Sequence, residues 1–398
     1  MGMESFSRRT AIVGAIGIAG AAVVGCTTSA AIPPSSAGTS AQQPGTSPSA
    51  SPTATADTTP RWPLTGKPLK DGDDPKHVAV AVKVADNKRE HIHQGMLVQQ
   101  GINDADIVFV ENDGYSSLPT GEAGTRLVPV FHTQYAESVQ AIRSMRPVDA
   151  PLFAPITGII GSTGGTGWVL KYMKKFPESF TPIDYQSAKA KFGGKLVAYG
   201  INSPFVFTIG GNKYFDKAVT CHPAKLATLA RKFTDGPQQN YFPWADADQA
   251  STTNGKPAAK IKVPWAKKMN WTMSYTWDEG KKTYLRSMPW GPHLIHGNKR
   301  VTADNVLVIL CPITYGRTKK NGEIVTGGSH PEPIYHIVNG TGKFFYANGG
   351  KYVTGTWTKG AQHEPFAFTL DDGTPLKMAP GRTFVELPGG NAKVSFSA

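Results

Sequence analysis

An α+β architecture is predicted for this chain: a mixed α/β domain followed by a β-rich one. Three observations predict it. Between residues 61 and 235, strand-like alternation is interleaved with stretches of helical spacing. From about residue 256 the helical spacing disappears, and short aromatic or β-branched runs alternate with turn signals such as DEG, NGG and DDG. Eight tryptophans and 18 phenylalanines supply core material for a body long enough to hold two domains.

The first element is a leader, residues 1–25. Arg8 and Arg9 precede AIVGAIGIAGAAVV (11–24), which is apolar but shorter than the roughly 20 residues a bilayer span needs. A charged start followed by a short apolar run reads as a signal peptide. Val23-Val24-Gly25-Cys26 has the form of a lipobox, so cleavage before Cys26 and acylation of its sulfur are expected. SFSRRTAI also has the form of a twin-arginine export signal, and both export routes stay open. Residues 26–60, almost entirely Ser, Thr, Ala, Pro, Gly and Gln, cannot bury enough apolar surface to offset ordering entropy and read as a tether. Removing residues 1–25 takes away Arg8, Arg9 and Glu4 and leaves +12 of the formal +13. That excess favours anionic surroundings, while no basic block marks nucleic acid as a partner.

In 61–235, strands are expected at 76–86, 106–113, 125–134 and 203–210, with Pro129 marking an edge or a bulge. Helical character is expected at 94–105, 136–145, 166–176 and 223–233. The Asp-, Ser-, Thr- and Asn-rich stretch 234–257 is the expected boundary. In 236–398, KIKVPW, MNWTMSYTWD, TYLRSM, NVLVILCPI, IYHIVN, KFFYANG, YVTGTWTK, FAFTL and TFVEL read as strands.

Candidate chemistry centres on Arg126, Arg143 and Arg146. A guanidinium presents five donors in a planar fork suited to carboxylate or phosphate. On a helical turn Arg143 and Arg146 would share a face, and Ser144, between them in the sequence, is a further candidate for the ligand. With Glu111 at the end of a neighbouring strand, they form either an anion-binding cleft or an internal Arg–Glu network. GIIGSTGGTGW (158–168) could cradle phosphate at a helix start, or serve as a plain glycine loop. His91-x-His93 and His293-x-x-His296 supply two ligands each, short of a zinc set, so neither metal nor cofactor is expected. With Cys26 acylated, Cys221 and Cys311 remain, a pair that permits one disulfide or two buried thiols. Aromatics such as Trp277, Trp290, Phe345, Tyr346 and Trp357 read as core or as sugar-stacking surface.

Several motifs in order resemble the YerB-like bacterial lipoproteins, which carry a two-part domain of unknown function. They are PLTGKPL (63–69), INDADIVFVEND (102–113), GTRLVPVFHTQYAESVQAIRSMRP (124–147), TWDEGKKTYLRS (276–287), GPHLIHG (291–297), TADNVLVI (302–309), GTGKFFYANGGKYVTGTW (340–357) and DDGTPLKMAPGRTFVEL (371–387). EHIHQGM (90–96) departs from the family pattern. The resemblance implies an envelope lipoprotein and supplies no established reaction.

Three functional readings follow. The first is a membrane-anchored, extracytoplasmic, non-enzymatic protein that binds an anionic wall component or a wall-synthesis protein through the arginine cleft. The second is a hydrolase of wall glycan or peptide with Glu111 as acid/base. The third is a solute-binding protein.

Overall fold

The structure, a computed structural model, describes residues 59–114, 124–191, 198–246, 248–266, 271–318, 324–328 and 331–398. The leader, Cys26 and most of the tether lie outside the described residues.

The first half contributes β1 (Ala79–Val82), β2 (Val84–Asp86), β3 (Ile107–Asn112), β4 (Thr125–Phe131), β5 (Gly158–Ser162) and β6 (Phe180–Asp184). The second half adds β7 (Lys256–Pro257), β8 (Lys260–Ala266), β9 (Trp271–Asp278), β10 (Thr283–Met288), β11 (Asn305–Ile309), β12 (Ile313–Thr318), β13 (Ile324–Thr326) and β14 (Glu332–Tyr335). It continues with β15 (Gly340–Asn348), β16 (Lys351–Lys359), β17 (Ala367–Leu370), β18 (Thr383–Glu386) and β19 (Ser395–Ser397). The aromatic and β-branched runs read in the sequence become these strands, because such side chains fit a pleated, half-buried surface.

The two halves do not form separate cores. One 12-stranded sheet runs β7-β16-β15-β11-β18-β3-β4-β1-β5-β6, with β2 also on β4 and β17 also on β16. β18 lies parallel to both β11 and β3, so a strand of the second half joins the two halves edge to edge. The expected boundary at 234–257 is thus a connection across a shared sheet. The sheet is buried on both faces. Val80, Val82, Val108, Val110 and Val306 face a cluster completed by Ile261, Met273 and Tyr275 of a second, 6-stranded sheet built on β8, β9 and β10. Ala79, Ala81, Ile107, Phe109 and Leu307 face the other way, toward α2 (Asp149–Phe153), α3 (Gly167–Met173) and Tyr241. Alternate residues of each strand therefore serve opposite cores.

Several first-half expectations need correction. Strands outweigh helices there, and no described helix of that half exceeds seven residues. The helical spacing at 94–105 resolves into a hairpin, Ile92–His93 with Met96–Leu97, turned by Gly95 at φ 80°, and a 3-10 turn at Ile102–Asp104. Residues 136–145 are extended, not helical. Val139–Gln140 pairs with Val219–Cys221, the Thr163 amide bonds the Arg143 carbonyl at 3.0 Å, and the Met145 amide bonds the Gly164 carbonyl at 2.8 Å. With neighbours taking its backbone groups on both sides, this segment gains nothing by coiling. At 166–176 the helix forms as α3, whereas the one at 223–233 contracts to Pro223–Ala227. Pro129 sits in an interior strand, opposite Val108 of β3. Having no N–H, it coincides with a lapse in the ladder to β1 and β2, which pair with β4 as Ala81↔Val130 and Val84↔Leu127 but not between. Lys83 occupies that lapse and gives its amide to the Gly161 carbonyl of β5 at 2.9 Å.

Candidate functional site

Lys83, isolated among valines in β1 and β2, is fully buried. Its ammonium pairs with Glu111 Oε1 and, at 2.8 Å, with Asp149 Oδ1. Asp149 opens α2, and its second oxygen accepts the Arg146 amide at 2.7 Å. One cation therefore lies between two carboxylates. Burial, and then the Asp149 charge, push Glu111 up to about 7. Glu111 faces Arg126 across the β3–β4 ladder, but its ion-pair partner is Lys83, a residue outside the sequence-level arginine reading.

The three arginines do come together, on extended chain rather than on one helix face. Arg143 places Nε 2.8 Å from Glu90 Oε1 and donates from Nη1 to the Asp216 carbonyl. Although burial opposes it, that guanidinium holds Glu90 below the usual carboxylate range. Arg146 donates from Nη2 to the Asp113 carbonyl at 2.6 Å and pairs through Nε with Glu332 of β14 at 3.0 Å. Arg126, 6% exposed, donates from Nη1 to the Ser144 carbonyl at 2.7 Å. Ser144 thus takes part through its backbone. The Arg126 Nε and Nη2 have no hydrogen-bond partner among the described residues. Burial, then the charges of Arg146 and Arg143, pull Arg126 down to about 10. Two arginines are committed to internal carboxylates, and the third is a crowded cation with donors to spare.

The glycine loop 163–166 lies against this group and spends backbone on it, through the Thr163 and Gly164 bonds already described. α3, which follows it, is too short to gather amides for an anion.

A second buried cluster joins the halves. Arg286 of β10, fully buried, bonds Asp86 of β2 at 2.9 Å and lies 3.6 Å from Glu386 of β18. Its Nη1 also donates to His293 Nδ1 at 2.7 Å, so Nε2 carries the proton and donates to Gln99 Oε1 at 2.7 Å. Burial, and then Arg286, keep His293 neutral. Burial works against Arg286 as well, but Asp86, Tyr275 and Glu386 outweigh it and raise its pKa. Thr125 donates to Asp86 at 2.7 Å, and Trp265 to Glu386 at 2.7 Å. Alternation in TYLRSM could have flagged Arg286, which shares the core-facing register of Tyr284 and Met288.

Cys221 and Cys311 are both free and buried, in the two different cores, which corrects the disulfide pairing the sequence permits. Tyr346 and Trp357 are core residues with internally bonded O–H and N–H groups, not stacking surface.

Two family models match the chain, both described as protein of unknown function (DUF3048). The N-terminal domain matches residues 64–198 and the C-terminal domain residues 261–385. The crystal structure of YerB protein from Bacillus subtilis is similar to the chain with a TM-score of 0.60 at 17% sequence identity, covering 84% of this chain and 99% of that one. No curated protein matches the chain. Both parts of the family stand in order here, joined through β18 and the Asp86–Arg286 pair, and the chain belongs to the YerB-like, two-part DUF3048 family.

Proposed function

We propose that this chain is an extracytoplasmic lipoprotein, held to the cell membrane by acylated Cys26, that binds an anionic group of the envelope without turning it over. The anion is a wall component or an acidic face of a wall-synthesis protein. The observation that supports this reading is Arg126: a buried cation, flanked by two others, with Nε and Nη2 unspent among the described residues. An oxyanion there would meet a planar fork and relieve the crowding of like charge. Hydrolysis through Glu111 is disfavoured, because that carboxylate is fully buried and ion-paired with Lys83. A solute-binding arrangement of two lobes about a cleft is disfavoured by the continuous sheet.

Thermal melting with and without inorganic phosphate, at matched ionic strength, tests the reading. Phosphate should raise Tm in the parent, and Arg126→Gln should abolish the rise while folding normally. An unchanged parent Tm, or an equal rise in the variant, overturns it. Fractionation of cells carrying Cys26→Ser tests the anchor, with release from the membrane the expected outcome.

A further inference from the structure

Two neighbouring hairpins project from the first half. One is Ile92–His93 with Met96–Leu97, directly after α1 (Lys88–His91). The other is Phe207–Ile209 with Asn212–Tyr214, turned by Gly210 and Gly211 at φ 55° and 82°. They touch through the His93 and Phe207 rings, 5.7 Å apart, and through Lys217, whose ammonium bonds the Ile92 carbonyl at 3.0 Å and lies 5.7 Å from the Phe207 ring centre. Arg143 clamps the pair from beneath, reaching Glu90 at the root of one and Asp216 at the root of the other.

This unit exposes what a soluble surface usually hides. Ile209 is 54% exposed, Phe215 44% and Ile92 42%, with Met96 and Tyr214 close behind. These five make up most of the large apolar side chains left exposed among the described residues. Lys88, Arg89 and Lys213 are exposed around them, with Lys217 at the centre. Among the described residues, the acidic groups paired at the roots of this unit are Glu90 and Asp216, and both lie within ion-pair reach of Arg143. Aliphatic and aromatic tips ringed by exposed cations match an interface of apolar chains beneath anionic headgroups.

We propose that the two hairpins are a membrane-docking face that rests the folded body on an anionic phospholipid surface. The proposal rests on the lipid-anchored reading. A chain of the length and Ser-, Thr- and Pro-rich composition of residues 26–58 would, as a random coil, have a reach on the order of 30 Å, so a docking contact too weak to act alone would be occupied at the resulting local concentration.

The test uses the full chain with Cys26→Ser, so that no acyl chain contributes. Ile209→Cys carries a polarity-sensitive dye, since the two remaining thiols are buried. Vesicles of phosphatidylcholine with one quarter phosphatidylglycerol should blue-shift the dye, saturably and less at high salt. Lys213→Gln should weaken the response about fivefold, the worth of one basic residue near a charged surface. The same dye at Lys281→Cys, an exposed turn between β9 and β10, should stay unshifted. No shift, an equal shift on pure phosphatidylcholine, or an equal shift at position 281 overturns the proposal. A shift that grows with protein concentration in the absence of vesicles overturns it in favour of a second copy of this chain. Because acylation plays no part here, the Cys26→Ser fractionation reports on the anchor separately.

Discussion

Arg286→Met removes the cation that Asp86 and Glu386 share. Both carboxylates are fully buried, so water cannot replace the lost partner. The methionine fills much of the space, and the cost is therefore mainly electrostatic. Stranding buried charge in this way costs about 3–5 kcal/mol. For a folded body of about 340 residues, the unfolding entropy near Tm is roughly 0.7 kcal/mol per degree, so Tm should fall by about 4–7 °C. Differential scanning calorimetry at pH 7 reads this directly. Two companion measurements separate charge from packing. Adding Asp86→Asn should return at least about 1.5 kcal/mol, because one of the stranded charges is gone. The loss should also shrink toward pH 4. Stranded carboxylates have raised folded pKa values, and that raised affinity for protons favours the folded state once pH falls below them. A loss under about 1 kcal/mol, strict additivity with Asp86→Asn, or a loss independent of pH would refute the electrostatic reasoning.

Lys83→Met should also cost about 3–5 kcal/mol in denaturant titrations, since it leaves Glu111 and Asp149 facing each other without the ammonium that bridges them. Glu111→Gln, which keeps the Lys83–Asp149 pair, should cost clearly less. His132, held down to about 4 by burial and then by nearby His77, is neutral in the folded state. Its contribution is complete above the unfolded value near 6.5 and is lost as pH falls through about 4. His132→Gln should flatten the acid limb of the stability curve over that window. Cys221 and Cys311, whose pKa values burial raises, should resist a thiol reagent in the folded protein and react only on unfolding.

The strands of the second half were legible because each is a short apolar or aromatic run bounded by turn residues, and most keep their positions within a few residues. Their partners were not legible. Nothing local in RTFVEL says that Thr383–Glu386 belongs beside Ile107–Asn112, nearly three hundred residues away. The arginines were found as a group, but their geometry was misread, since a three-residue spacing looks the same whether the chain coils or is pinned straight by Thr163 and Gly164. The Phe207–Tyr214 hairpin was visible in principle, as Gly210-Gly211 is the turn dipeptide such hairpins use. Lys83 and Glu386 were harder. In a sheet buried on both faces every position is inward, so alternation no longer marks a charged residue as out of place.

The place of β18 bears on how the protein can be made. It follows every other strand of the large sheet in the chain, yet it occupies the middle of that sheet, parallel to both neighbours. A chain emerging N-terminus first, from a ribosome or a translocation pore, must wait with β3 and β11 unjoined until residue 386 has cleared the exit. Until then β3 offers an open edge of unpaired backbone N–H and C=O groups, flanked by apolar side chains, to anything nearby. A chaperone that shields this edge in the nascent chain answers a need written into the strand order itself.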